Sequence, residues 1–424
     1  MNHFELRGGE LFCEDVSLAK IANDVGTPVY VYSSATLERH YTVLRDALAA
    51  ANLGEPLIAF AVKANSNVAV LRTLARLGAG ADVVSEGEVR RALAAGMPPE
   101  RIVFSGVGKT DAEVAFALEV GVAEINIESE PELDLVDATA RRLGKRAAIA
   151  IRVNPDVEAG GHAKISTGKA ENKFGVSMDE AERLYAKASN LAGVRPVGVA
   201  CHIGSQITDL APMEAAFGKM RALVERLRGE GLTVERLDLG GGLGAPYFNQ
   251  PTPPSPDDYA AMIARVMQGL DVQLAFEPGR MIAANAGVLV SRVQHIHKRA
   301  EGRNFLVLDA AMNDLIRPAM YDAYHDIRPV EPRPGLEVVY DVVGPICETG
   351  DTFTRDRTLP PLEPGDLVAF MTAGAYGAVM SSEYNSRPLV PEVLVKGSEF
   401  AVVRPRPTYE DMLARESAAP WLQA

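Results

Sequence analysis

The residues best placed to do chemistry stand directly after short apolar runs. Lys63 follows Leu57-Ile58-Ala59-Phe60-Ala61-Val62. A lysine at the carboxyl end of a buried strand is partly desolvated, and its amine is then available as a nucleophile. A side chain snorkelling out of a strand end leaves the same trace. His202 closes the run 196–201 and leads into Ile203-Gly204-Ser205. It can stack on a flat ring or handle protons, or simply pack. Gly240-Gly241-Gly242-Leu243-Gly244 follows Leu237-Asp238-Leu239. Such backbone lets amide N–H groups converge on an anion, and it equally makes a tight turn. No Gly-Lys-Ser/Thr follows, which excludes a Walker loop, and the glycine spacing does not match the dinucleotide fingerprint. Glu277-Pro278-Gly279-Arg280 closes a further run. The glutamate can face a protonated ring nitrogen and the arginine can fork onto a carboxylate. An internal ion pair between the two is the competing reading.

An amine, an anion cradle, a flat-ring partner and a carboxylate at separate strand ends match one cofactor well. Pyridoxal 5′-phosphate needs a Schiff-base lysine, a phosphate site and a partner for its pyridine nitrogen.

The elements that must carry these residues alternate. Apolar runs at 57–62, 81–84, 101–104, 124–127, 148–153, 196–201, 234–239 and 272–276 predict strands. Helical periodicity fills 68–77, 86–95, 111–119, 131–143, 179–190, 213–228 and 256–267. Alternation of this kind predicts parallel strands with helical crossovers, and eight of them a closed (β/α)8 TIM-type barrel, with an open doubly wound sheet as the alternative. Barrel enzymes place their chemistry at the carboxyl ends of the strands, where these residues fall. After about residue 285 the texture becomes short strands and Pro/Gly turns, at 288–293, 305–308, 338–342, 367–371 and 392–395. The α/β chain thus divides into a barrel over 36–285 and a β-sandwich or barrel-like domain over 286–424 that includes the N-terminal segment 1–35.

Composition narrows the class. The net charge of −13 disfavours nucleic acid, and 47% hydrophobic residues provide for a large core. Cys13, Cys201 and Cys347 are widely spaced, without a disulfide framework or metal-ligand spacing, as expected of a cytoplasmic protein. The start lacks the regions of a signal peptide, and no apolar run approaches a membrane span.

Phe60-Ala61-Val62-Lys63-Ala64-Asn65, His202-Ile203-Gly204-Ser205-Gln206, Gly240 to Gly242, Glu277 to Arg280 and Cys347-Glu348-Thr349-Gly350-Asp351 occur in order along the chain. Together with Asn172-Lys173-Phe174-Gly175 and Gly374-Ala375-Tyr376-Gly377, they resemble the alanine-racemase-like, fold III family of pyridoxal phosphate decarboxylases. The resemblance covers nearly the whole chain. It implies that Lys63 carries the cofactor and that His202 stacks on its ring. Glu277 would pair with the pyridine nitrogen, and the phosphate would sit on Gly240, Gly241, Gly242, Ser205 and Tyr376, beside Gly279. Asp82 and Arg152 would surround the cofactor. Arg280, Arg317 and Tyr321 would grip substrate carboxylate, with Tyr376 nearby. Cys347 as proton donor and Glu348 as partner of a distal amine would come from the second subunit of a homodimer.

The implied reaction is decarboxylation of meso-2,6-diaminopimelate to L-lysine and CO2. The arginines favour a substrate with a second carboxylate over ornithine, arginine or lysine, the substrates of sibling decarboxylases. A racemase of the same fold fits less well, because the long second domain with Cys-Glu-Thr-Gly-Asp is unlike theirs. A non-catalytic carrier of the cofactor would be a short, single-domain barrel.

Overall fold

The computed structural model describes residues 2–158, 173–299 and 304–422. Two compact units emerge, one of residues 37–284 and one of residues 1–36 with 285–424.

The first unit is a closed barrel of parallel strands: β1 Leu57–Ala61, β2 Gly80–Val83, β3 Ile102–Phe104, β4 Glu124–Ile127, β5 Ala147–Arg152, β6 Val194–Ala200, β7 Arg236–Asp238 and β8 Gln273–Phe276. They lie in sequence order, and Phe276 beside Ile58 closes the ring. Each expected strand is present, shifted by at most two residues at either end. The open-sheet alternative is excluded by this closure.

Local chemistry starts the helices. α1 Val68–Ala75, α2 Glu86–Ala94, α3 Asp111–Val120, α4 Glu130–Arg142, α5 Met178–Ser189 and α7 Pro256–Val266 are each N-capped by an Asn, Ser or Thr side chain. The cap oxygen accepts an amide N–H that the first turn leaves without a partner. α6 Ala211–Gly229 has no such side-chain cap. A further helix, Ser34–Ala50, precedes β1. It is not among the expected helices, although Leu37, Tyr41, Leu44 and Leu48 recur at helical spacing and are all buried.

Strand alternation decides which side chains fill the barrel. Leu57, Ala59, Val103 and Ala275 form an apolar cluster. Along the same inward rows, charged and polar residues follow toward the carboxyl ends. Space is tight at the base. A Cβ on Gly80 would collide with the carbonyl of Arg101, and one on Gly198 with that of Arg236.

The second unit is sheet-rich. Val29–Ser33 lies between Gly287–Lys298, antiparallel, and Glu392–Lys396, parallel. The N-terminal segment is therefore an inner strand of the C-terminal sheet, as expected. Gly287–Lys298 shifts register between Val293 and His295, pairing first with Leu367–Phe370 and then with Asn304–Leu308. Among the described residues after 285, three strands were unforeseen: the short Ile327–Pro329, and Thr352–Leu359 and Glu399–Arg404, the last two half-exposed with polar residues. Cys13 is buried in the apolar core with Leu18, Val31 and Val393.

The crowding at Gly80 gives a signed test. Gly80→Ala is expected to destabilise by about 1–3 kcal/mol through overpacking. Gly87→Ala in helix α2, where a Cβ meets nothing nearer than Ser85 Oγ at 3.7 Å, should stabilise by up to about 0.5–1 kcal/mol. Urea unfolding of both variants checks the pair.

Candidate active site

The carboxyl ends of the barrel strands bring together Lys63, Asp82, Arg152, His202, Gly240 to Gly242, Glu277 and Arg280. Lys63 stands in the single 3-10 turn Val62–Ala64 just beyond β1. Its Nζ donates to Asp82 Oδ2 at 2.7 Å. Asp82 is fully buried, whereas the lysine side chain is 38% exposed. The amine is thus held at the barrel mouth by an ion pair and is not desolvated alone.

His202 Nδ1 accepts the N–H of Gly241 at 3.3 Å. Burial first, then the charges of Lys63 and Arg152, push the imidazole well below its ordinary range. The ring is neutral, with its proton on Nε2, and offers an uncharged flat face.

The glycine turn departs from expectation. The N–H of Gly240 donates to Asp238 Oδ1 at 2.7 Å, and that of Gly241 goes to His202. Two of the three amides expected to converge on an anion are therefore engaged within the protein. Gly240 and Gly241 act through close packing: a Cβ on either would strike the carbonyl of Cys201 or of Glu277. Gly240 and Gly242 also have φ of +67° and +118°, conformations that favour glycine.

Glu277 N–H donates to Gly240 O at 2.8 Å, tying its strand end to the turn. Its Oε1 is buried without a hydrogen-bond partner. Burial, then Asp238 and Asp82, raise this carboxyl well above the usual range, against Lys63 and Arg152. Asp238 is pushed up to about 7, mainly by burial and by Glu124. No ion pair joins Glu277 to Arg280. Arg280 donates to Ser205 Oγ and to the Tyr247 hydroxyl, both at 3.1 Å. A Ser205 oxygen that accepts from arginine turns its own O–H outward as a donor.

A second network fixes Arg152, and its other members are absent from the expected site residues. Arg152 donates to Glu128 Oε1 at 2.9 Å, and its guanidinium lies 5.0 Å from the Phe174 ring. Glu128 also accepts from the N–H groups of Gly106 and Gly175. Buried Lys109 bonds Glu132 and the carbonyls of Gly106 and Asn126. Glu132 in turn accepts Glu128 N–H at 2.6 Å. The visible signal is a charged residue at each strand end; the partners become legible only once the barrel closes. Asn172 lies outside the described residues. Cys201 is buried, which pushes its thiol up and leaves it inert.

The other expected residues lie in the sheet-rich unit. Arg317 is buried, with Nη1 3.0 Å from His325 Nε2, while His325 Nδ1 sits 2.9 Å from Met371 O. The carbonyl can only accept, so Nδ1 carries the proton and Nε2 accepts from Arg317. Tyr321 ends the short helix Arg317–Tyr321. Cys347 and Glu348 are exposed on a loop held by Asp351, whose carboxylate accepts the N–H groups of Met312 and Ile346, each at 2.7 Å. Glu348 accepts the Tyr384 hydroxyl at 3.1 Å. Tyr376 has φ +56°, a left-handed conformation unusual for a tyrosine.

The barrel residues fit pyridoxal 5′-phosphate. Glu277 Oε1 is an orphaned acceptor, His202 is a neutral ring, and Gly240 to Gly242 leave a turn that Cβ atoms would fill.

Comparison with known proteins agrees. Residues 35–284 match the pyridoxal-binding domain of the pyridoxal-dependent decarboxylases. The diaminopimelate decarboxylase of Pseudomonas aeruginosa is 52% identical over 421 residues, covering 99% of this chain and all of that one. The enzyme of the same name from Zymomonas mobilis is 50% identical over 420 residues, 99% of each chain. The crystal structure of diaminopimelate decarboxylase from M. jannaschii in complex with L-lysine superposes with a TM-score of 0.94 at 37% identity, covering both chains fully. This chain belongs to the pyridoxal-dependent decarboxylase family, in its diaminopimelate decarboxylase branch.

Glu88 reports on the electrostatics beside Lys63. Its carboxyl accepts Val84 N–H at 2.8 Å. Burial lifts it to about 7, with Asp82 adding and Lys63 opposing. A raised carboxyl stabilises the fold below its unfolded value and loses that contribution as pH rises toward 7. Glu88→Gln should therefore flatten the decline in melting temperature between about pH 4.5 and 7. An unchanged slope would contradict this assignment.

Proposed function

We infer that the chain is a carboxy-lyase that uses pyridoxal 5′-phosphate to decarboxylate meso-2,6-diaminopimelate, giving L-lysine and CO2 in the last step of lysine biosynthesis. The observation that carries this is the barrel mouth itself: an ion-paired lysine, a neutral histidine and an orphaned glutamate oxygen around a glycine turn, in a chain about half identical over its full length to diaminopimelate decarboxylases.

When bound, the cofactor supplies an aldehyde to capture the substrate amine and a protonated ring that draws electrons from the carbon losing CO2. The chain supplies the rest. Lys63 provides the attaching amine, oriented by Asp82. His202 presents its uncharged face to the ring. Glu277 accepts from the ring nitrogen and favours its protonated form. Ser205 donates to the phosphate, with Gly240, Gly241, Gly242, Gly279 and Tyr376 forming its surroundings, and Arg152 supports the cofactor from β5.

Further assignments rest on the motifs. Arg280, Arg317 and Tyr321 are assigned to the substrate carboxylate, and Tyr376 to substrate binding as well. Cys347 returns a proton to the carbon after CO2 leaves, and Glu348 holds the distal amine. We assign these last two to the opposite subunit of a homodimer. The three cysteines are free, consistent with a cytoplasmic setting. No helix among the described residues is long and apolar enough to cross a membrane.

A panel of amino acids tests the substrate. CO2 release should be fastest with meso-diaminopimelate, with L-lysine formed in equal amount. Lys63→Ala should lower the rate by at least about a thousandfold, the scale on which loss of a covalent catalytic group is felt. Faster turnover of ornithine, or racemised amino acid without CO2, would sink the reading.

A further inference from the structure

The strands that present the cofactor site carry a buried carboxyl, Asp238, that has neither an ion-pair partner among the described residues nor an assigned part in the reaction. Asp238 ends β7 and is 1% exposed. Ala200 and Ala275 flank it in the parallel register, and their short side chains leave it room. One carboxyl oxygen is fixed on Gly240 N–H at 2.7 Å, while Oδ2 is buried with no hydrogen-bond partner. Glu277 lies two residues beyond Ala275 on the neighbouring strand, on the same inward row, and the two carboxyls interact directly.

The surrounding charges leave this pair unbalanced. Asp82 has Lys63, Glu124 has Arg236 and Glu128 has Arg152. Among the described residues no ion pair serves Asp238 or Glu277. Cys201, His202 and Tyr259 complete the nearby titratable groups, and none of them carries a positive charge: the histidine is held neutral and burial raises the thiol and the phenol. Lys63 and Arg152 oppose the rise at Glu277, but they are paired with Asp82 and Glu128 and do not offset the burial and mutual repulsion that keep two adjacent buried carboxyls from both ionising.

We propose that Asp238 is a positioning residue for Glu277: it locks the ring-facing carboxyl to the glycine turn, and the two share a single proton that they present toward a ring nitrogen. Asp238 then links the two ends of the cofactor site. Its Oδ1 fixes the turn beside the phosphate, and its Oδ2 side sets the geometry and charge of Glu277. The pair is a ready partner for one heterocyclic cation, and a bound ring N–H⁺ is the cation that the barrel lacks. On binding, the carboxyl O–H bond breaks as the ring N–H bond forms, so the proton is transferred inside the site. The raised range of both carboxyls supports the sharing.

This inference rests on Glu277 facing the ring nitrogen, and the experiment separates the two claims. Full-length protein is titrated with pyridoxal 5′-phosphate from pH 5.5 to 9, for wild type, Asp238→Asn and Glu277→Gln. Affinity and the pH midpoint are read from the visible absorbance of the bound cofactor. Asp238→Asn should melt cooperatively, bind about tenfold more weakly and shift the midpoint by about one unit, the size expected when one neighbouring buried charge is lost. Unchanged affinity and midpoint in Asp238→Asn, with both altered in Glu277→Gln, would overturn the role of Asp238 alone. No change in either variant would overturn the Glu277 assignment as well. Should Asp238→Asn fail to fold, wild type decides. Infrared difference spectra with carboxyl-¹³C aspartate and glutamate should lose one protonated-carboxyl band on adding the cofactor at pH 7. Absence of that loss would contradict a shared proton.

Discussion

Carboxyl groups inside a protein need a cation or a proton, and the inside of this barrel holds more of them than its cations can serve. Asp82, Glu124 and Glu128 are matched by Lys63, Arg236 and Arg152. Asp238 and Glu277 are not. That imbalance determines much else at the barrel mouth. Burial first, and this imbalance with it, raises the carboxyls of Asp238 on β7 and Glu277 just beyond β8. The proposed reception of a protonated nitrogen heterocycle rests on this imbalance. Burial, then the nearby positive charges of Lys63 and Arg152, keeps His202 neutral, so it adds no cation to the site.

The fold supplies this imbalance through simple means. Alternating side chains send every second residue of each strand inward: small and apolar residues with the Glu124–Arg236 pair at the base, and Lys63, Asp82, Asp238 and Glu277 toward the carboxyl ends. Small residues such as Gly80, Gly198, Ala200 and Ala275 let strands approach and leave volume for Asp82 and Asp238. The network of Lys109, Glu132, Glu128 and Arg152 fixes one side of the mouth. The turn of Gly240 and Gly241 fixes the other, its amides spent on Asp238 and His202. A charged group held by several bonds keeps its geometry before any ligand arrives, so less ordering remains to be done on binding.

Much of the barrel was legible in the sequence. Its strands are apolar runs flanked by caps and glycine turns, signals that act locally. Lys63, His202 and Glu277 stood out because a charged or titratable residue directly after such a run falls at the carboxyl end of a barrel strand. Asp238 did not stand out, since one acid within Leu237-Asp238-Leu239 has no visible partner until β7 lies beside β8. Lys109 and Glu132 look like ordinary helix-flanking charges until the strand ends converge. Thr352–Leu359 escaped notice because its exposed face is polar; its pairing with Val338–Val343 appears only in the folded sheet, where the Phe353 and Phe370 ring centroids lie 4.5 Å apart. Ser34–Ala50 was missed although its buried positions repeat at helical spacing, so there the signal was present and unused.

Lys63, poised by Asp82, is the proposed point of cofactor attachment. The purified protein, incubated with pyridoxal 5′-phosphate, can be reduced with borohydride, digested and mapped by mass spectrometry. A phosphopyridoxyl group is expected on the peptide containing Lys63, in near-stoichiometric amount. Modification of another lysine, such as Lys109, or a protein left unmodified, would contradict it.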